Sequence, residues 1–262
     1  MQMEGTAAIV TGGGTGLGAA TAIALARRGV NVCVNYATSA KGAESVVETC
    51  LKEGVDAFAV QADVSEDAPC RRLVQAAAER WDRLDILINN AGTTKFANPD
   101  NLDALTPDDF LSIYRTNVVS MYLMIRAARE RLRASGKGAV VNVSSIAGVA
   151  GIGSSIAYAA SKGAVNTMTL SLARAMGPEI RVNAVCPGYI ASGWFARHVD
   201  KEADAASAAR VAAITPLRVA STPEDIAGTL VFLASDDSRH ITGECILVDA
   251  GMHLGYAPLM AR

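Results

Sequence analysis

The 262-residue sequence is short of several things, and each shortage closes a route. It has no run of about 18 apolar residues, the length a membrane-spanning helix requires, so no membrane association is expected. Positive charge is scattered: 24 Lys and Arg face 26 Asp and Glu, and no basic run exceeds Arg27-Arg28 or Arg71-Arg72. Nucleic acid needs clustered cations, so it is not an expected partner. His198, His240 and His253 show no ligand spacing with one another or with a cysteine, and no metal is expected. The cysteines, Cys33, Cys50, Cys70, Cys186 and Cys245, are odd in number and lack a C-x-x-C pair. They read as reduced, mostly buried thiols of a cytoplasmic protein. Met1–Gly5 carries no charged leader segment and runs straight into a strand-like stretch, so secretion is not expected.

What is present is apolar and rhythmic. Half the residues are hydrophobic and 19% are charged, which suits one large α/β domain over residues 1–262. Short Val- and Ile-rich runs predict strands at Ala7–Val10, Asn31–Asn35, Ala57–Gln61, Ile86–Asn89, Ala139–Val143, Arg181–Val185 and Cys245–Val248. Helix-length segments lie between them, at Gly16–Arg28, Lys41–Glu53, Pro69–Trp81, Pro107–Arg133, Ser155–Met176 and Pro223–Ala234. This alternation predicts a doubly wound, Rossmann-like parallel sheet of about seven strands with helices on both faces. Thr106-Pro107-Asp108-Asp109 and Thr222-Pro223-Glu224-Asp225 each set a capping hydroxyl before a proline and two acids, a helix start. The irregular stretch at about 187–216, holding Trp194 and Phe195, reads as a cover over the substrate.

Between the first strand and first helix lies Thr11-Gly12-Gly13-Gly14-Thr15-Gly16-Leu17-Gly18. Glycines at that junction let backbone approach a pyrophosphate, and the helix N-terminus behind them offers free N–H groups. Farther on, Tyr158 and Lys162 stand four apart in a helical segment and share a face, downstream of Ser144-Ser145.

The order of these features resembles the short-chain dehydrogenase/reductase family. The glycine spacing Gly12, Gly16, Gly18 opened by Thr11, then Asp63-Val64, Asn89-Asn90-Ala91-Gly92, Asn117, Ser145, Tyr158-x-x-x-Lys162, Pro187-Gly188 and Asp249–Gly251 all fall in family sequence. The resemblance implies a hydride transfer between a nicotinamide dinucleotide and a carbonyl/alcohol pair. It implies that Gly12, Thr15, Gly16, Leu17 and Gly18 hold the pyrophosphate, and that Asp63 and Val64 meet the adenine. Asn90, Ala91 and Gly92 would line the cofactor, with Pro187, Gly188 and Ile190 beside the nicotinamide. Tyr158 is then the general acid/base, Ser145 the donor to the reacting oxygen, and Lys162 the holder of the ribose hydroxyls. Asn117 would kink the long helix and anchor a relay water. A Lys ammonium about 4 Å from the phenol, at an effective dielectric near 20, is worth up to about 4 kcal/mol, so Lys162 is expected to lower the Tyr158 pKa. Ser144 is expected to serve the backbone, and Ser154 and Ser155 to start the helix.

The end of the second strand selects the cofactor form. An acid there receives the ribose 2′-hydroxyl of NAD. Here it is Tyr36, within Asn35-Tyr36-Ala37-Thr38-Ser39, and the first following acid is Glu44. With Asn35, Thr38 and Ser39 as donors to a 2′-phosphate, NADP(H) is expected and NAD(H) is the alternative. Family members that prefer NADP usually carry a nearby Arg or Lys, but here the two usual sites are Thr15 and Ala37.

The substrate side reads as apolar, from Tyr189, Ile190, Trp194 and Phe195 facing Ile146 and the loop 148–153. The resemblance is strongest to 3-oxoacyl-carrier-protein reductases, which makes a ketone or 3-oxoacyl reductase the leading reading. An acyl carrier protein is a candidate partner but not the favoured one, since the basic cluster Arg129, Arg131, Arg133 and Lys137 reads first as a solvated face. The family implies a homotetramer. The rival readings are an NAD-dependent dehydrogenase of a sugar, polyol or steroid alcohol, and a dinucleotide-binding regulator without catalysis.

Overall fold

The computed structural model describes residues 3–192 and 201–254, with backbone alone for 201–205. Seven parallel strands form one sheet: β1 (Ala7–Val10), β2 (Asn31–Tyr36), β3 (Ala57–Gln61), β4 (Ile86–Asn89), β5 (Gly138–Val143), β6 (Ile180–Pro187) and β7 (Cys245–Val248). Their order is β3-β2-β1-β4-β5-β6-β7. Ala8 stands beside both Val32 of β2 and Ile86 of β4, so β1 is where the winding reverses. A crevice opens past the carboxyl ends of the strands at such a reversal, and ligands bind there.

The strands carry successive apolar residues because both faces are covered. Side chains alternate across a strand, so Ile9 and Val10 enter different cores. Val10, Val34 and Ile88 pack with Leu25 of α1 (Gly16–Ala26), Val46 of α2 (Ala40–Lys52) and Leu230 of α9 (Pro223–Ala234). Ile9, Leu87 and Val182 pack with Leu73 of α3 (Asp67–Trp81), Met124 and Leu132 of α5 (Ser120–Ala134) and Met176 of α7 (Ile156–Met176). The doubly wound architecture expected from the alternation is therefore the one observed.

One expected element divides. The helix predicted over Pro107–Arg133 is α4 (Pro107–Tyr114), a π turn at Arg115–Val119, and then α5. The turn has an identifiable cause at Asn117, which is fully buried. Its Oδ1 accepts from Thr93 N at 2.7 Å, and its Nδ2 donates to Thr93 O and Ser161 Oγ, each at 3.0 Å. Turns of this kind gather at functional sites. Both expected helix starts form as reciprocal caps: Thr106 Oγ1 accepts from Asp109 N while the Asp109 carboxylate accepts from Thr106 N, and Thr222 with Asp225 does the same. A four-residue helix, α6 (Ala147–Ala150), precedes α7, and α8 (Lys201–Ile214) precedes α9. Trp194, Phe195 and His198 lie outside the described residues.

Candidate active site

The crevice at the β1/β4 reversal is a cavity of about 760 Å³, within the range of small-molecule and cofactor sites. Its first end is a cradle built from backbone. Gly12 adopts φ 60°, a left-handed conformation that a side chain disfavours. A Cβ on Gly18 would lie 2.3 Å from Gly12 O and 2.5 Å from Asn90 Nδ2, so only glycine allows α1 to start so close to the loop. Three polar side chains hold the loop from behind. Thr11 Oγ1 accepts from Asn90 N at 2.9 Å and Ala91 N at 3.0 Å. Asn90 Nδ2 returns bonds to Thr11 O at 2.9 Å and Gly12 O at 3.1 Å. Asn35 Oδ1 accepts from Gly12 N at 3.3 Å, while its Nδ2 donates to Ala62 O at 3.0 Å and Val60 O at 3.3 Å.

Of the residues expected to meet a dinucleotide, Gly12, Thr15, Gly16, Leu17, Tyr36, Thr38 and Ser39 line this cavity. So do Asp63, Val64, Asn90, Ala91, Gly92, Pro187, Gly188 and Ile190. Gly18 lies behind the lining, as its contacts require. Asn35 borders the cavity, yet its expected role as a phosphate donor is corrected. It is 1% exposed and its amide hydrogens serve the carbonyls of Val60 and Ala62, so it braces the loop instead.

The other end holds the reactive side chains. Ser145 follows β5, while Tyr158 and Lys162 follow one another on α7. The helix start positions them: Ser155 Oγ accepts from Tyr158 N at 3.2 Å. Ser154, expected to start this helix too, instead bonds Thr94 Oγ1 at 2.6 Å and ties two loops at the cavity mouth. Ser144 Oγ lies 2.6 Å from Asn166 Oδ1 and fastens the end of β5 to α7, while Ser145 Oγ accepts from Ala147 N at 3.1 Å and lines the cavity with Tyr158. Lys162 is 3% exposed; its Nζ donates to Val143 O at 2.8 Å and stands 5.6 Å from the Tyr158 ring centre. Asn117 sits outside the lining, bonded to Ser161 of α7.

The electrostatics overturn one expectation. Burial pushes the Tyr158 phenol up to about 12, and the neighbouring Ser145 hydroxyl only partly offsets it. Lys162 does not bring the phenol towards neutrality in the protein alone, because withdrawal from water dominates both groups. Burial lowers Lys162 to about 8. At neutral pH the phenol keeps its proton and the lysine carries charge for the most part.

Residues 12–253 match the family model described as Enoyl-(Acyl carrier protein) reductase. The chain is 42% identical to a ketoacyl reductase of the granaticin polyketide synthase of Streptomyces violaceoruber, over 96% of this chain and 97% of that one. The chain belongs to the short-chain dehydrogenase/reductase family. It is an oxidoreductase of the class acting on CH–OH and carbonyl groups, in a family that binds NAD(P)(H). A 3-oxoacyl-acyl-carrier-protein reductase of Staphylococcus aureus is 36% identical, over 94% of this chain and 98% of that one. The crystal structure of a short-chain dehydrogenase/reductase from Burkholderia xenovorans superposes with a TM-score of 0.89 at 40% identity, covering 97% of this chain and all of that chain.

Sequence reasoning missed several lining residues, among them Ala62, Thr116, Ala147 and Met252, and named Ser192 and Val211 only as part of the 187–216 stretch. It also passed over Lys41, exposed in the first turn of α2 beside Ser39. None stands in a motif, and an apolar wall leaves no spacing to read.

Proposed function

We propose that the chain is an NADP(H)-dependent ketone or 3-oxoacyl reductase, one catalytic domain working in the cytoplasm as a homotetramer. The observation that carries this reading is that Ser145, Tyr158 and Lys162 share one cavity with the glycine loop and with a second-strand turn that has no carboxylate. Gly12, Thr15, Gly16 and Leu17 would hold the pyrophosphate at the start of α1, and Asp63 and Val64 the adenine. The backbone cradle that a Cβ at Gly18 would fill fits such a group. Thr38 and Ser39 would hold a 2′-phosphate at the start of α2, where the helix dipole and Lys41 favour negative charge. When bound, the cofactor supplies the hydride.

The chain's own groups manage the proton. Tyr158 donates its phenolic proton to the carbonyl oxygen, and its upward-shifted pKa keeps that proton in place until negative charge develops. Ser145 hydrogen-bonds the same oxygen, an oxyanion-type contact. The Lys162 ammonium favours the phenolate left behind and would hold the nicotinamide ribose beside Asn90, Pro187 and Gly188. Asn117 fixes the π turn against α7 and so sets where these groups stand.

An acyl carrier protein is not the favoured partner, because the basic cluster is engaged at home: Arg131 pairs with Asp82 at 3.3 Å and Lys137 with Asp236 at 3.0 Å. Exposed Phe110, Leu111, Tyr114 and Tyr122 on α4 and α5 support subunit packing. The deciding experiment measures NADPH and NADH affinity, then absorbance decay of NADPH with a ketone panel that includes an acetoacetyl thioester. Tight NADPH binding with turnover is the expected result. NADH preference, or turnover of alcohols alone in the oxidative direction, overturns the reading.

A further inference from the structure

The turn after β7 is tightly built. Asp249 is 5% exposed. Its Oδ1 accepts from Gly251 N at 2.9 Å and its Oδ2 from His253 N at 2.7 Å. His253 Nδ1 lies 2.9 and 3.0 Å from the two carboxylate oxygens. Both oxygens are acceptors, so Nδ1 carries the proton and donates. The carboxylate thus gathers three donors from two residues, Gly251 and His253, and closes the short turn Met252–Leu254.

The same turn is pressed against the cover. Ala250 and Gly251 adopt φ 55° and 85°, which folds the chain back sharply. A Cβ on Gly251 would lie 2.7 Å from Pro216, and Leu217 N donates to Ala250 O at 3.2 Å. Asp249 also backs Gly188, where an added Cβ would meet its own Cβ at 2.8 Å. The side chain delivered by this arrangement is Met252, half-buried and lining the cavity with Val211 of α8 and with Tyr158 and Ser145.

We propose that Met252 is a specificity-determining residue, the movable wall that sets how long a substrate fits beyond its carbonyl, and that Asp249 and His253 are the positioning residues that hold it there. This rests on the reductase reading above. The wall has no charge and an unbranched, adaptable side chain, so it discriminates by size. The substrate class it admits is an uncharged ketone, and bulk opposite the carbonyl is what Met252 limits.

The test uses cyclohexanone, 4-tert-butylcyclohexanone and 4-phenylcyclohexanone, which share one carbonyl and differ at the far end. Met252→Ala is expected to raise kcat/KM for the phenyl ketone relative to cyclohexanone about tenfold, through KM, and Met252→Phe to lower it about tenfold, the range one pocket group commands. NADPH affinity should stay within about twofold of the unaltered protein, by comparison with that tenfold effect. His253→Ala should shift the ratio as Met252→Ala does. His253→Asn, whose amide nitrogen can take the place of Nδ1, should restore it, which a change of bulk alone would not do. Titrating the same ketones against NADPH-loaded protein, followed by nicotinamide fluorescence, reads the wall without turnover. An unchanged size ratio with active enzyme overturns the wall alone. A size ratio that moves in binding with no turnover in any variant keeps the wall and overturns the reductase reading. Binding of none of the series overturns both.

Discussion

The two ends of the cavity are made in different ways. At the cradle, Thr11, Asn35 and Asn90 spend their side chains on backbone N–H and C=O groups of the loop, and Gly18 admits no substitute because Gly12 O would touch its Cβ at 2.3 Å. At the apolar wall, Ile152, Val211 and Met252 offer surface that other side chains of similar size would also offer. One end is specified by backbone positions that only particular residues permit, and the other by volume. The cradle should therefore fail abruptly when altered and the apolar wall should retune. Each substitution below tests that contrast or the chemistry between the two ends.

The largest effect belongs to the junction between them. Tyr158→Phe removes the proton donor and leaves the ring in place, so kcat should fall at least about a thousandfold, within the span of general acid catalysis. NADPH affinity should hold, because the glycine loop is untouched. Rapid-kinetic turnover beside a fluorescence titration separates the two. Retention of most of the activity would move the acid to another group and remove the boundary the comparison draws.

Next comes the cradle itself. Gly18→Ala puts a methyl group between Gly12 O and Asn90 Nδ2, and overfilling a packed site costs about 1–3 kcal/mol. That is about a tenfold to hundredfold loss of NADPH affinity if the loop rather than the helix gives way. The matched change at the apolar wall, Ile152→Ala, should leave NADPH affinity alone and alter only the KM for ketone. Equal tolerance at both sites in isothermal titration would show that the cradle is no more exacting than the wall.

This contrast also accounts for what the sequence disclosed. The seven strands were legible because burial on both faces demands unbroken apolar runs, and the helix starts because Thr106-Pro107 and Thr222-Pro223 carry their own caps. The cradle was legible because glycines must stand where backbone crowds. The break at Asn117 entered only through family resemblance, since its cause is a set of hydrogen bonds to Thr93 and Ser161, 24 and 44 residues away. Asn35 misled because a polar residue at a strand end looks available, whereas its partners at Val60 and Ala62 lie on the neighbouring strand and just beyond it. The Tyr158 pKa misled because proximity to Lys162 is readable from spacing, while the desolvation that outweighs it depends on the whole fold. Met252 was invisible because nothing local distinguishes a wall residue from any other methionine.

Cofactor choice gives a smaller effect that sharpens the cradle side. Tyr36→Asp places a carboxylate at the turn beside Thr38 and Ser39, where it would repel a 2′-phosphate and accept from a 2′-hydroxyl. The NADPH to NADH ratio of kcat/KM should fall about tenfold, the size of one such polar contact. Lys41→Glu, in the first turn of α2, should move the ratio the same way by less, because that site is exposed and screened. A ratio unmoved by both would show that selection lies elsewhere in the loop.

The smallest effect is a pH dependence, and its sign follows from Lys162. Burial lowers its pKa to about 8, so the ammonium is present below that value and lost above it. The Tyr158 phenol, held near 12, keeps its proton throughout the same range and does not contribute. Because kcat/KM for NADPH reports groups of the free protein, it should decline as pH rises through about 8, by about fourfold from pH 7 to pH 8.5. Lys162→Arg, whose guanidinium stays charged, should flatten that limb whatever it does to the maximum. A decline that survives in Lys162→Arg would assign the titration to another group and leave the lysine a purely geometric part of the junction.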